Sequence, residues 1–281
     1  MTPLARRWLL VGLAFLASRS AAGAQDWRAC AVSVEEFGQM QEVQRQEVQV
    51  QEVQVQEVNQ NGELLLQDGR LILLAGLVPV TLLPNHKAKG EHLRAALQSW
   101  LAGQSIGLRL VQTQPDRWGR LMALEQVSGN QLPVSLTQAV IDAGLGLAQP
   151  GQITRTCLLA LYRAEAKARL ERIGFWADQD FTVLQSGDPQ SLRDKAGGWV
   201  LVEGQILNVN ETKFRTYLNM GPRRGADFAV VIAKANLKSF QQRGLAPQAL
   251  VGKRVRVHGI VDLRPGPLIE ISGPDAIEML N

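Results

Sequence analysis

Two short apolar runs, Glu63-Leu-Leu-Leu66 and Leu71-Ile-Leu-Leu74, flank the polar turn Gln67-Asp68-Gly69-Arg70. Runs of this length around an Asp-Gly turn predict a β-hairpin. The same punctuation continues downstream. Residues 91–101 (EHLRAALQSWL) read as a helix stopped by Gly103. Ile106 to Val111 and Leu121 to Val127 read as a hairpin across PDRWGR. Ser135 to Ala143 is a helix ended by Gly144, and Thr154 to Ile173 a longer one ended by Gly174, glycine being the common helix terminator. The predicted order is three strands, a helix, two strands and two helices.

Upstream lies a repeat. Residues 41–58 read QEVQRQEVQVQEVQVQEV, with valines at 48, 50, 53, 55 and 58. Steps of two and three alternate, so a regular strand would change faces at each copy and a helix would scatter the valines. The stretch reads as a tether whose last copy feeds the first strand. A self-pairing β-segment is the other reading, since it is Val-rich and lacks Pro and Gly.

The chain has 281 residues and formal charge +4. Arg6 and Arg7, the apolar run Trp8 to Ala17 and the small residues Ala22-Gly23-Ala24 have the order of a secretory signal peptide. The paired arginines also permit a twin-arginine route. Cleavage before Gln25 leaves a formal charge of +1 and no integral membrane segment. Residues 25–182 hold 14 Lys/Arg against 17 Asp/Glu, and residues 183–281 hold 13 against 9. Attraction to a polyanion is therefore expected from the C-terminal part. Two cysteines, Cys30 and Cys157, in an exported chain predict one disulfide, with two buried free thiols as the alternative. His86, His92 and His258 show no ligand spacing, so no zinc site is expected.

Three segments are more specific: DRWGRLMALEQV (116–127), SLTQAVIDAGLGLA (135–148) and YRAEAKARLERIGFWAD (162–178). In order and spacing they resemble the staphylococcal nuclease (thermonuclease-like) family, over about Val58 to Asp178. The resemblance implies a small OB-type barrel with flanking helices. It also implies Ca²⁺-dependent phosphodiester cleavage, with carboxylates in D-G-D-T and G-I-D-x-P-E motifs and two phosphate-holding arginines. Here the first motif reads Asn61-Gly62-Glu63-Leu64. Neutral Asn61 stands in the metal-binding place and Glu63 in the second acid's place. The strand arginine falls at Leu73, the second metal carboxylate at Val78 and the water-activating Glu at Val80. Arg120 and Asp116 match. Arg70 and Asp68 lie at odd offsets from Leu73, which on a strand point to the other face. The frame LILLAGLVPV (71–80) thus keeps the strand, the Gly turn and the Pro without the chemistry, and Leu73, Val78 and Val80 are expected to pack into the barrel mouth. Arg120 beside Asp116 reads either as a local ion pair or as a retained anion contact.

Residues 181–196 are polar and read as a linker. Beyond them, Trp199 to Val209, Phe214 to Asn219, Phe228 to Ala233, Arg254 to Val261 and Leu268 to Ile271 read as strands, with a helix near Asn236 to Arg243. Five strands with a helix between the third and fourth is the OB order, and this stretch resembles OB modules of nucleic-acid proteins. Lys213, Arg215, Tyr217, Arg223 and Arg224, with Phe214, are the candidate ligand-binding residues, since OB modules hold single strands with cations and stacking aromatics. Phe214 and Tyr217 lie three apart, so one of them is expected in the core. Arg254, Arg256 and His258 read as a solvated strand face.

The sequence therefore predicts a mainly β protein with α (α+β), exported to periplasm or exterior. It comprises a signal peptide (1–24), a repeat segment (25–60), a nuclease-type OB barrel with flanking helices (61–180), a linker (181–196) and a second, smaller OB-like barrel (197–281). The expected function is non-catalytic binding of single-stranded nucleic acid, another anionic polymer or an envelope protein, without a cofactor. A Ca²⁺-dependent nuclease with rearranged ligands and a purely structural envelope protein are the alternatives.

Overall fold

A computed structural model of the chain describes Cys30, residues 51–128 and residues 133–280. The predicted signal peptide and the upstream repeat copies lie outside the described residues. The fold is mixed α/β and mainly β, built around two sheets.

The first sheet holds β1 (Gln51–Val58), β2 (Leu64–Leu66), β3 (Leu71–Leu74), β4 (Ser105–Leu110), β5 (Arg120–Ser128) and β6 (Pro133–Ser135). β1 pairs with both β2 and β4, β4 with β5, and β5 runs parallel to β3, so five strands close on themselves. The first strand thus lies inside the repeat, before the boundary expected at residue 61. Its pairing shows how a five-residue period becomes a strand. A register shift between Val55 and Glu57 absorbs one residue, as a β-bulge does. Val53, Val55 and Val58 consequently all pack on the same core, with Val58 fully buried. At the β2–β3 turn, Gly69 has φ of 85°, and the Asp68 carboxylate accepts from the Arg70 backbone N–H at 3.0 Å.

Helix α1 (His86–Leu101) starts earlier than predicted and buries Leu93, Leu97 and Leu101 at a spacing of four, one face of a helix. Gly90 on this helix lies against the β1–β2 connection, where a Cβ would sit 2.2 Å from the Gln60 carbonyl oxygen. Helix α2 (Leu136–Asp142) is capped by Ser135, and α3 (Arg155–Leu170) by Thr154, whose hydroxyl accepts from the Cys157 backbone N–H. The ends of α2 and α3 meet at Gly144 and Gly174. Gly144 has φ of 68°, and a Cβ there would lie 2.1 Å from the Ile173 carbonyl oxygen. The sequence read these glycines as terminators; in the fold each also makes room for the other.

Residues 181–196 are not a bare linker. They form β7 (Leu184–Gln185), parallel to β8, and α4 (Pro189–Asp194). Leu184 and Leu192 enter the core of the second barrel. That barrel comprises β8 (Trp199–Gln205), β9 (Asn208–Glu211), β10 (Arg215–Asn219), β11 (Ala229–Ala233), α5 (Leu237–Gln242), β12 (Arg254–Asp262) and β13 (Leu268–Ile271). β8 pairs with β12, β12 with β13, β13 in parallel with β11, β11 with β10, and β10 with β9. β8 and β9 are two halves of one run bent at Ile206 and Leu207, which closes a five-stranded OB-like barrel. An unpredicted strand, β14 (Ile277–Leu280), adds to β12. Both sheets follow the same cyclic order, with the third strand parallel to the fifth and a helix between the third and fourth.

The two sheets share an interface. Val200 and Val202 of β8 face the second barrel's core, while Trp199 and Leu201, on the other face of the same strand, join the first barrel's core beside Trp176 and Phe181. Strand alternation therefore serves two cores at once. Cys30 and Cys157 form the predicted disulfide, with Cα atoms 4.4 Å apart.

Candidate functional site

The mouth of the first barrel brings together three of the predicted residues. Glu63, 5% exposed, follows the β1–β2 turn, while Asp116 and Arg120 flank the β4–β5 turn. Arg120 Nη1 donates to Glu63 Oε1 at 2.7 Å, and its Nε donates to Asp116 Oδ2 at 2.9 Å. The other Asp116 oxygen accepts from the backbone N–H groups of Trp118 and Arg120. The other Glu63 oxygen accepts from Asn59 Nδ2 at 2.6 Å. Asn59 Oδ1 in turn accepts from the backbone N–H groups of Asn61 and Glu63. One guanidinium thus holds two carboxylates. Desolvation opposes its charge, but the hydrogen bonds it donates to Asp116 and Glu63 hold the Arg120 pKa above its ordinary value. Both acids are engaged on each oxygen, and Asn61 is exposed.

Val78 and Val80 lie in the barrel core, as the sequence predicted, while Leu73 is half-buried and pairs across to Met122. Trp118, at the tip of the β4–β5 turn, is 60% exposed, with the Arg117 and Arg120 guanidinium carbons 3.8 and 4.6 Å from its ring centroid.

This donor set does not fit Ca²⁺. That ion takes six to eight oxygens, several from free carboxylates. Among the described residues no group of three or more His, Cys, Asp or Glu could hold a metal, and the two acids of the mouth are already engaged by Arg120, Asn59 and main-chain donors.

On the second barrel the predicted residues gather around β10. Thr216 and Leu218 point into the barrel, both fully buried. Arg215 and Tyr217 therefore share the outer face. Phe214 lies in the preceding loop, where strand alternation does not bind it, and is 71% exposed. Tyr217 is half-buried. The expectation that one of these aromatics is core does not hold, because Phe214 falls outside the strand. Lys213 Nζ lies 5.3 Å from the Phe214 ring centroid. The cations are largely paired: Arg215 with Glu270 at 3.3 Å, Arg223 with Asp227 at 2.8 Å, and Lys234 with Glu211. Arg224 donates to Asn210. Arg223 and Arg224 belong to the β10–β11 turn rather than to the strand face.

Of the face expected to be solvated, Arg254 is exposed, while Arg256 is half-buried and His258 is buried in an inter-barrel contact. Val255 and Val257 point into the barrel, as predicted, but His258 is 1% exposed because α3 covers it. Its ring stacks on Tyr162. His258 Nε2 lies 2.8 Å from Glu278 Oε1, and Arg256 bridges Glu278 and Glu203. Burial pushes the Tyr162 and Glu165 pKa values up. For Glu278, burial is outweighed by the His258 hydrogen bond and the Arg256 charge, which hold its carboxyl below the ordinary range. No spacing rule pairs α3 with β12, so this network carried no sequence signal.

No family model matches the chain, and no curated protein matches it. Among solved structures, one similar chain is the OBody AM1L10 bound to hen egg-white lysozyme. It is 21% identical over 30% of this chain and 79% of that one, with a TM-score of 0.23. Another is aspartyl tRNA synthetase from Entamoeba histolytica, 11% identical over 37% of this chain and 22% of that one, with a TM-score of 0.26.

Proposed function

We propose that this protein is a non-catalytic binding protein of thermonuclease-like descent that works outside the cytosol and holds single-stranded nucleic acid or a similar anionic polymer on its second barrel. The observation that carries the non-catalytic part is the Arg120 clamp. Its guanidinium is held by Glu63 and Asp116, so it offers no free cation to a transferring phosphate. Val78 and Val80 fill core positions where the resembled family places acids. Stabilisation of developing charge needs preorganised donors that are not already satisfied. The Cys30–Cys157 disulfide supports an oxidising compartment.

The binding part rests on β10 and its preceding loop. Phe214 is an exposed aromatic with Lys213 beside it, and Arg215 and Tyr217 follow on the outer face of β10. Aromatic stacking with adjacent cations binds single strands with little sequence preference. The ion pairs around this surface predict weak, salt-sensitive binding, since each phosphate must compete with a carboxylate.

The test uses the mature chain, a labelled single-stranded oligonucleotide and Ca²⁺. The expected result is binding that weakens as salt rises, falls roughly 5- to 100-fold in Phe214→Ala, and proceeds without cleavage. Cleavage that Arg120→Ala abolishes would overturn the non-catalytic reading. Binding unchanged by Phe214→Ala would remove the β10 surface.

A further inference from the structure

The octapeptide that forms β1, QEVQVQEV at 51–58, occurs a second time, letter for letter, at 46–53. A third occurrence at 41–48 differs at one place, with Arg45 for valine. We propose that the first barrel accepts either of the two identical copies as its first strand, giving the protein two registers five residues apart.

The contacts of β1 carry this. Val58 is fully buried, and Val53 and Val55 pack against the same core. The Gln51 side-chain carbonyl accepts from Arg70 Nη1 at 2.9 Å, and that of Gln54 accepts from Gln67 Nε2 at 2.8 Å. A shift of five places Val53, Val48 and Val50 in the three valine positions, and Gln46 and Gln49 in the two glutamine positions. An odd shift in an ordinary alternating strand sends every side chain to the wrong face. Here the sequence period equals the shift, and the bulge between Val55 and Glu57 falls between Val50 and Glu52, so each position receives the residue type it had. Ladder hydrogen bonds do not read side chains at all. Nothing in the slot separates the two copies.

What separates them is the connection that follows. Residues 59–63 join β1 to β2 in the observed register, where the Asn59 side chain makes three hydrogen bonds, accepting from two backbone N–H groups and donating to the Glu63 carboxylate. In the shifted register the connection doubles to residues 54–63. Doubling a loop lowers the population only about threefold, and the Asn59 bonds add to the preference for 51–58. Because Asn59 holds Glu63, and Glu63 holds Arg120, the register is coupled to the charge pairing at the barrel mouth. A shift of ten would put Arg45 in the place of Val55, against the barrel core. Two registers are therefore available and a third is not. The disulfide permits the shift: 16 residues still separate Cys30 from residue 46, a reach on the order of 50 Å.

The test compares three variants of the mature chain by thermal melting and amide hydrogen exchange. Val58→Asp blocks the observed register, Val50→Arg blocks the shifted one, and the double variant blocks both. Val50→Arg is expected to melt like the wild type. Val58→Asp is expected to stay folded and monomeric, with protection gained at 46–50 and lost at 54–58. The double variant is expected to lose the cooperative transition of the first barrel. Equal melting of Val58→Asp and the double variant, whether folded or unfolded, would overturn the proposal. So would protection that stays on 54–58 in Val58→Asp, or a Val58→Asp fold that forms only as a concentration-dependent dimer.

Discussion

Tyr162 of α3 stacks on His258 of β12, with ring centroids 4.4 Å apart, and its hydroxyl donates to the Asp275 carbonyl at 2.8 Å. One side chain from the first barrel's last long helix thus touches two elements of the second. Removing it should test whether the barrels unfold together. Tyr162→Ala is expected to cost about 4 kcal/mol, as truncation of a buried aromatic does. Tyr162→Phe keeps the stack and loses one hydrogen bond, about 1 kcal/mol. Chemical denaturation followed by tryptophan fluorescence checks both. Independent unfolding of the barrels with no change in the first would count against this contact as a stabilising joint.

Glu125 supplies a pH prediction. It is buried, with Thr137 Oγ1 at 3.3 Å from Oε2 and no partner on Oε1. Burial raises its pKa well above the ordinary glutamate value, against the pull of the Thr137 hydroxyl. The folded state therefore holds this proton more tightly than the unfolded chain does. Its contribution is fully present below the unfolded glutamate pKa and is lost as pH rises through the folded value. Glu165 acts in the same direction, and Glu278, whose pKa is lowered, in the opposite one. Glu125→Gln is expected to flatten the fall in stability between mildly acidic and neutral pH. Melting curves across that range check it; an unchanged slope would show that Glu125 does not set it.

Reduction of the disulfide should be costly. The bridge spans a sequence separation of 127, so by the chain-entropy relation its loss destabilises by about 4–5 kcal/mol. Denaturant midpoints with and without reductant measure this. Alkylation of the untreated protein should label neither cysteine.

Arg120 should matter more for stability than for chemistry. Arg120→Ala leaves Glu63 buried with only neutral Asn59 beside it. Removing one partner of a largely buried pair is expected to cost about 3 kcal/mol. Glu63→Gln leaves no buried charge and should cost less. Equal losses in the two variants would mean that the pair contributes little beyond packing.

Much of the strand order was legible from local pattern. The QDGR turn, the glycines ending the helices and the alternation of Val255 and Val257 each act over a few residues, and the fold keeps them. The apolar character of Val78 and Val80 likewise foretold their burial. The interior of the repeat was not legible, because a bulge between Val55 and Glu57 depends on the strands that β1 pairs with. The expectation that one of Phe214 and Tyr217 is core failed because the exposure of Phe214 depends on where β10 begins.

The sequence by itself determined most of the strands and helices, and the apolar residues at 78 and 80 that the first barrel buries. Local backbone preference and side-chain polarity suffice for these. Only the tertiary structure decided that His258 is buried, that Arg256 bridges Glu278 and Glu203, that Trp199 and Leu201 belong to the neighbouring barrel's core, and that Glu63 and Asp116 share one guanidinium. Each of these joins groups distant along the chain. The gain from burying an aromatic face or neutralising an acid exists only once the fold has brought its partner within a few ångströms.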